Sequence, residues 1–193
     1  RTFFGAKLSY RVTHELGGVR FDTTVGAEAR NDDIHNQLWH DAQRARIGGA
    51  LRDGAISETL AGLFVNEEVT PWSWLRVNVG GRADLLSFAV DDLINPPSLI
   101  GPRSGVGSAH QLSPKVNVVV SPFQRENLQW DVYLNWGHGF HTNDVRGVFA
   151  DPKVTPLTRA IGEEVGSRAR LWERWDLAAT AWMFWGSLGM GME

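Results

Sequence analysis

The chain has 193 residues, a formal net charge of −3 and a pI near 6.1, which gives no argument for nucleic-acid binding. It contains no cysteine, so disulfides and thiolate metal sites are excluded. No apolar run of about 18 residues occurs, which excludes transmembrane helices. Nine tryptophans and 21 glycines suit a membrane barrel with interfacial aromatic belts, although aromatic-rich soluble β proteins also exist.

The dominant pattern in the sequence is a strict alternation of apolar and polar residues. Along 130–136, Trp, Val, Leu and Trp alternate with Asp, Tyr and Asn. Side chains on a strand point to opposite faces with period 2, so such a segment is apolar on one face only. The alternating segments are ten residues or longer, whereas soluble strands are about five or six residues long. This length is typical of strands that cross a bilayer.

The pattern predicts about eight antiparallel up-and-down transmembrane β-strands in an all-β chain. In chain order they are 3–12, 19–30, 57–69, 74–88, 111–121, 128–139, 157–171 and 175–185. The third strand is the least regular, because apolar residues occupy both faces from Leu60 to Val65. Pro114 weakens pairing of the fifth strand unless a bulge accommodates it.

The predicted connections fall into two classes of length. Four are short, at 13–18, 70–73, 122–127 and 172–174, and three are long, at 31–56, 89–110 and 140–156. The second long loop is rich in Pro and Gly, including Pro96–Pro97 and Gly101–Pro102. Transmembrane barrels have short periplasmic turns and long extracellular loops, whereas a soluble sandwich has no reason to sort its loops by end.

The two ends of the sequence suggest an incomplete barrel. The first residue is Arg1 and no signal peptide precedes it, so we expect a mature chain or a fragment. Residues 186–193 have no strand character and no terminal aromatic residue. We therefore divide the chain into a barrel region, 1–185, and a tail or truncation remnant, 186–193.

The tryptophans concentrate at the predicted strand ends. Trp72, Trp74, Trp130, Trp172 and Trp175 lie near the short turns, whereas Trp136 and Trp185 lie towards the long loops. This distribution predicts two aromatic girdles at the lipid interfaces. The alternative is that these side chains cap a soluble core near its turns.

The face opposite the apolar one is regularly charged. A basic side chain facing the middle of the bilayer would cost about 2–4 kcal/mol. We therefore predict that this face lines a wet lumen or contacts a plug. The residues assigned to it are Arg82, Asp84, Asp131, Tyr133, Arg168 and Arg170.

Several motifs resemble the later barrel strands of TonB-dependent outer-membrane receptors. They are SPK at 113–115, LNWGHGFHTNDVRG at 134–147 and EVG at 164–166. A fourth, LFVNEE at 63–68 followed by WLRV at 74–77, resembles another strand pair of that family. The resemblance implies an open slice of a larger barrel, of about 22 strands with a plugged lumen.

The resemblance also implies a function and a set of partners. We expect part of an outer-membrane receptor for active uptake of a scarce nutrient, such as a siderophore or other metal chelate, a cobalamin or a glycan. Expected partners are outer-membrane lipid, the ligand, a plug domain, and the energy-coupling TonB protein acting through the missing N-terminal part. No nucleic-acid partner is expected.

No catalytic constellation is evident, so we predict no enzyme activity, no cofactor and no metal site. Neighbouring residues of a strand diverge to opposite faces, so neither Glu67–Glu68 nor Glu163–Glu164 forms a carboxylate dyad. Histidines near the long loops could bind metal, but we favour their being ordinary polar surface residues.

The best candidate ligand site lies where ligand would enter the barrel. Its residues are His138, His141, Asn143, Asp144 and Arg146. In the alternative interpretation, Asn143, Asp144 and Arg146 lock the loop by hydrogen bonds and an ion pair, and do not touch ligand.

Two alternatives to the receptor remain open from the sequence. The first is a complete small eight-stranded barrel that serves as an anchor, adhesin or structural protein of the outer membrane. The second is a soluble β-barrel or sandwich that binds a small apolar ligand, which the outward apolar faces disfavour.

Overall fold

The computed structural model of the chain describes residues 1–94, 104–149 and 153–186. It has eight strands: β1 (Thr2–Leu16), β2 (Val19–Ala42), β3 (Ala45–Trp72), β4 (Leu75–Asp92), β5 (Gly105–Arg125), β6 (Leu128–Thr142), β7 (Leu157–Leu171) and β8 (Trp175–Gly186). A short 3₁₀ helix, Val145–Phe149, lies in the connection between β6 and β7. Each strand pairs antiparallel with the next one in sequence, which confirms the all-β up-and-down prediction.

The sheet is open. Its order runs from β1 to β8, and these two strands do not pair with each other in the described part of the chain. A closed barrel would join them, and in lipid every backbone polar group needs a partner. The arrangement is that of a partial barrel. Among the described residues, no helix has the length and apolar character needed to span a membrane.

The predicted first long loop, 31–56, is wrong. β2 and β3 continue through this region as a paired hairpin that turns at Gln43 and Arg44, whose φ values are 50° and 65°. Where both faces of a hairpin are open to water, the apolar–polar alternation is not required although the backbone pairing continues. The hairpin extends the sheet by roughly 40 Å, at about 3.3 Å per residue.

The other two predicted long connections remain, in shorter form. β4 ends at Asp92 and β5 begins at Gly105, and the two Pro-containing pairs, at 96–97 and 101–102, lie outside the described residues. The connection between β6 and β7 spans 143–156. Gly186 is the last residue of β8 and does not begin the tail, and 187–193 lie outside the described residues.

Pro114 lies in β5 without a bulge at its own position. It is paired with Gly81 of β4 in uninterrupted register, and pairing of β5 with β6 begins one residue later, at Lys115 and Gly137. A missing backbone N–H is tolerated there because Pro114 is paired on one side only.

The register assigns every strand residue to one of two faces. Leu8, Ala27, Leu63, Ala83 and Leu112 lie on one face of neighbouring strands, and Leu8, Leu63 and Leu112 are 66–78% exposed. We call this side the apolar face. Its apolar stretch covers 21–29 in β2, 75–85 in β4 and 112–120 in β5, which is the length of a bilayer-crossing strand. A continuous apolar surface of this kind does not suit a soluble domain.

The opposite side, which we call the polar face, carries the buried residues. Asp22, Asp32 and Asp84 are buried on it. Towards the long connections the same face becomes apolar, and Leu86 and Phe88 form a small core there. The polar face therefore changes from charged side chains in its middle to apolar ones near the 143–156 connection.

Candidate functional site

Arg82 links two carboxylates in the middle of the polar face. Its guanidinium lies 2.5 Å from Glu28 Oε1 and 2.6 Å from Asp84 Oδ1, and the Asp84 side chain is fully buried. Lys7 extends the group, with its Nζ 3.8 Å from Glu28 Oε2. Gly62 is paired with Asp84, and a Cβ at Gly62 would collide with the Arg82 guanidinium. The glycine therefore makes room for the charged group.

A second group of charges lies near the short turns. Asp22 accepts a hydrogen bond from Thr13 Oγ1, and Arg20 Nε and Arg11 Nη2 lie 3.0 and 3.4 Å from its carboxylate. Beside it opens a polar cavity of about 580 Å³, whose lining includes Arg76 and Asp131. Both features lie on the polar face, and its contact with a wet lumen or a plug stays a prediction.

The six residues predicted to face a lumen all lie on the polar face. Asp131 is paired with Arg168, and Arg170 with Asp176, in one register across β6 to β8. Arg82 and Asp84 contact each other, and the other four side chains contact polar side chains outside this set. Arg168 Nε donates to Asp176 at 2.8 Å, and Tyr133 shares a 2.5 Å hydrogen bond with Thr180.

Gly166 and Ser121 complete this arrangement. A Cβ at Gly166 would collide with the Tyr133 ring, so the glycine leaves space for the tyrosine. Ser121 Oγ donates to Asp131 Oδ1 at 2.5 Å. These contacts make a cross-strand polar network, and they leave few free groups for a ligand around Asp131, Tyr133 and Arg168.

The five residues predicted at the mouth do not form one cluster. His138 lies on the apolar face, where its ring centroid is 4.9 Å from that of Trp136 and its nitrogens contact Arg159. His141 is one of the polar-face positions, paired with Thr158. Only Asn143, Asp144 and Arg146 are close together. Side chains alternate between the two faces along a strand, so residues 136 and 138 lie on the same face.

The three clustered residues fix the start of the connection between β6 and β7. Asn143 Nδ2 donates to the Thr155 carbonyl at 2.8 Å and to Thr158 Oγ1 at 2.7 Å. Asp144 accepts from the backbone N–H and the Nε of Arg146, at 3.0 and 2.8 Å. These hydrogen bonds from Arg146 lower the pKa of the Asp144 carboxyl. The contacts favour the loop-locking interpretation of these residues.

The connection then folds onto the polar face, which the sequence did not predict. Val145 is fully buried against the cluster that contains Leu86 and Phe88. The Phe149 ring lies 6.0 Å from Phe88, and a Cβ at Gly105 would lie 2.5 Å from Phe149 Cε1. The signal in the sequence was the group of apolar residues Val145, Val148 and Phe149 within the connection.

Charges surround this packed loop. Asp32 is held by Arg30 and Arg1 at 2.7 Å each, and their hydrogen bonds and charges lower its pKa to about 2. Burial, with the nearby Asp32 and Asp144 carboxylates, raises the pKa of Glu58. Near the loop, the polar face therefore has a small apolar core with acidic and basic side chains around it.

The predicted interfacial tryptophans lie on the apolar face or in the short turns. Trp72 and Trp74 stack with centroids 5.3 Å apart, and Trp130 stacks on Phe123 at 5.9 Å. Trp130 Nε1 also donates to Ser167 Oγ at 2.7 Å. Trp136, Trp172, Trp175 and Trp185 are 38–63% exposed. Their contact with lipid stays a prediction.

A family model described as TonB dependent receptor-like, β-barrel, matches residues 1–182. No curated protein matches the chain.

Several solved structures share the fold. The ferric citrate transporter FecA in its unliganded form superposes with a TM-score of 0.74 at 15% identity, over 94% of this chain and 26% of that one. The ferric-catecholate import receptor Fiu from E. coli K12 gives 0.65 at 12% identity in its closed form, over 93% and 30%, and 0.60 at 14% identity in its open form, over 94% and 30%. The chain thus spans between a quarter and a third of these receptors.

Proposed function

We propose that this chain, which belongs to the TonB-dependent receptor β-barrel family, forms part of an outer-membrane receptor for active uptake of a scarce nutrient. The family match over residues 1–182 is the observation that carries the proposal. The apolar face supports it, because its stretches of about nine to eleven residues fit the hydrocarbon thickness of a bilayer. In this orientation the short turns face the periplasm, and the hairpin tip and the long connections face outward.

The proposed substrate class is a metal chelate such as a siderophore, or a cobalamin. The support is limited to fold likeness with receptors named for ferric citrate and ferric catecholate. We propose no catalytic activity, since the family consists of transport receptors.

The proposed partners follow from the two faces. The apolar face with its tryptophans would contact lipid, and the polar face would line the lumen and contact a plug domain. Coupling to the TonB protein would act through the plug and N-terminal parts of the intact receptor. The polar-face groups around Arg82 and Asp84 support a wet environment, since charges facing the bilayer core would be costly.

The small eight-stranded barrel is the less favoured alternative. It requires β1 to pair with β8, and among the described residues the strand order leaves these strands at opposite edges. The same openness suits a segment whose edges are completed by further strands of a larger barrel.

Uptake by whole cells tests the proposal. Cells with and without the intact protein are supplied with iron-55 chelates of several siderophores, and with cobalt-57 cobalamin, in strains with and without TonB. We expect accumulation of one of these compounds that requires both the protein and TonB. Equal accumulation in all four strains for every compound would contradict the proposed function.

A further inference from the structure

The polar face contains a groove between β5 and β8 that the polar network described above does not fill. Its floor consists of residues without large side chains, namely Gly137, Gly139, Ala160 and Gly162. The space measures about 300 Å³. Where two adjacent strands carry only small residues side by side, no side chain fills the space above them. This leaves a depression that extends about one inter-strand spacing to each side of the row.

Two aromatic rings form one wall of the groove. Trp182 and Phe184 lie on the polar side of β8, with ring centroids 5.3 Å apart at an interplanar angle of 55°. Each is 68% exposed in the described part of the chain, where β8 is the edge strand of the sheet. Phe184 lies over Gly162, where a Cβ would be 3.1 Å from Phe184 Cε1. Side chains of this size on a wet face leave π-surfaces open to a ligand.

One carboxylate lies beside these rings. Glu164 is paired with Asn135 on one side and with Trp182 on the other, so its side chain shares their face. It is half-buried and forms no ion pair or side-chain hydrogen bond with any residue that the structure describes. A carboxylate next to exposed aromatic rings attracts a cation through both charge and ring quadrupole.

The other charged residues around the groove do not cancel this carboxylate. Lys115 forms the opposite wall, with its Cβ facing Gly137, but its Cε lies over Gly80 of β4 and carries the charge away from the groove. Glu163 and His138 also border the groove, but the register places both side chains on the apolar face. The charge facing the groove is therefore negative.

We propose that this groove is a binding site for a small organic cation of the alkylammonium class, held between the Glu164 carboxylate and the faces of Trp182 and Phe184. Asn117 and Asn135 supply amide groups for the polar part of such a ligand. The proposal rests on the proposed function only in placing the groove on the lumen side of the barrel.

Choline tests the charge requirement, because 3,3-dimethylbutan-1-ol is its neutral isostere. Both compounds are titrated by saturation-transfer NMR against the intact protein purified in a maltoside detergent, without any choline-headed lipid. We expect saturable choline binding at about 1 mM or tighter, and at least tenfold weaker binding of the isostere. No saturable choline binding, or equal binding of the two compounds, would overturn the proposal.

Paired variants locate the site. Glu164→Gln is expected to weaken choline binding about tenfold and Trp182→Leu about fivefold. Glu163→Gln, the same change one residue away on the opposite face, is expected to leave binding within twofold. An equal loss from Glu163→Gln, or no loss from Glu164→Gln, would overturn the site.

Two glycine-to-valine variants test the site without changing any charge. A Cβ at Gly139 or at Gly81 meets open space, so a valine at either position is compatible with the local packing. Gly139→Val projects into the groove and is expected to weaken choline binding, whereas Gly81→Val projects from the apolar face and is expected to have no effect. This assay measures binding without transport, so loss of TonB-dependent uptake with retained choline binding would refute the proposed function alone.

Discussion

Arg82 is expected to be essential for stability because it neutralises a fully buried carboxylate. In the variant Arg82→Met, Asp84 keeps its position but loses its ionic partner, with no exposed side-chain surface through which water could replace it. Removing one partner of a buried pair costs about 3–5 kcal/mol. We expect about 3 kcal/mol here, since Arg82 is itself 26% exposed and Glu28 retains Lys7 nearby.

The control for this prediction lies on the same strand and face. Arg76 is an arginine of β4 that forms no ion pair within the described part of the chain. Arg76→Met is therefore expected to change the free energy of unfolding by less than about 0.5 kcal/mol. The double variant Arg82→Met with Asp84→Leu removes both charges and is expected to recover most of the loss.

Urea unfolding of the intact protein in lipid vesicles, followed by tryptophan fluorescence, measures these free energies. We expect a large loss for Arg82→Met, recovery in the double variant and little change for Arg76→Met. A loss below about 1 kcal/mol, or an equal loss for the two arginine variants, would refute the argument that Asp84 depends on Arg82.

Three further predictions concern the apolar face, the hairpin and the loop. Val116→Arg, at the middle of the apolar stretch 112–120, is expected to cost about 2–4 kcal/mol in vesicle unfolding and Asn117→Arg much less, and equal costs would contradict the assignment of faces. Asn and Gly adopt positive φ readily, so replacing Gln43 and Arg44 by Asn and Gly is expected to stabilise the hairpin turn and to slow hydrogen exchange at its tip. Unchanged exchange would count against this turn geometry. The pKa of Asp144 is lowered in the folded loop, so its stabilisation is present above the unfolded pKa of about 3.9 and is lost as the pH falls through the lower folded value. Hydrogen exchange at 143–149 should therefore accelerate at acidic pH, and should already be fast at neutral pH in Asp144→Asn; protection unaffected by either would refute the locking role.

The sequence was most informative in segments where one face of the strand is apolar and the other is polar. The predicted strand 157–171 coincides with β7, and the predicted strand 175–185 differs from β8 by one residue. In these segments an apolar and a wet face enforce alternation, so the pattern reports the backbone directly. In 31–56 the strands are paired, but neither face has to be apolar. The composition of this hairpin is therefore that of a loop.

The sequence predicted on which face of the sheet the functional residues lie, but it did not predict which residues they contact. Period 2 placed Arg82, Asp84 and Arg168 on one side, as the register shows. The docking of Val145 near Leu86 joins positions that are far apart in sequence, and no local pattern encodes such a contact. The groove beside Glu164 was missed for a related reason, since its floor is defined by glycines on adjacent strands and not by any motif.

The most direct test of the account is whether neighbouring residues of one strand face lipid and water in turn. The chain has no cysteine, so single cysteines along 111–121 of the intact protein can be spin-labelled one at a time in outer-membrane lipid. Labels at Leu112 and Val116 are expected to be accessible to oxygen dissolved in the bilayer, and labels at Ser113 and Asn117 to a water-soluble nickel chelate. Accessibility without a period of two would contradict a bilayer-crossing barrel segment, and with it the receptor assignment.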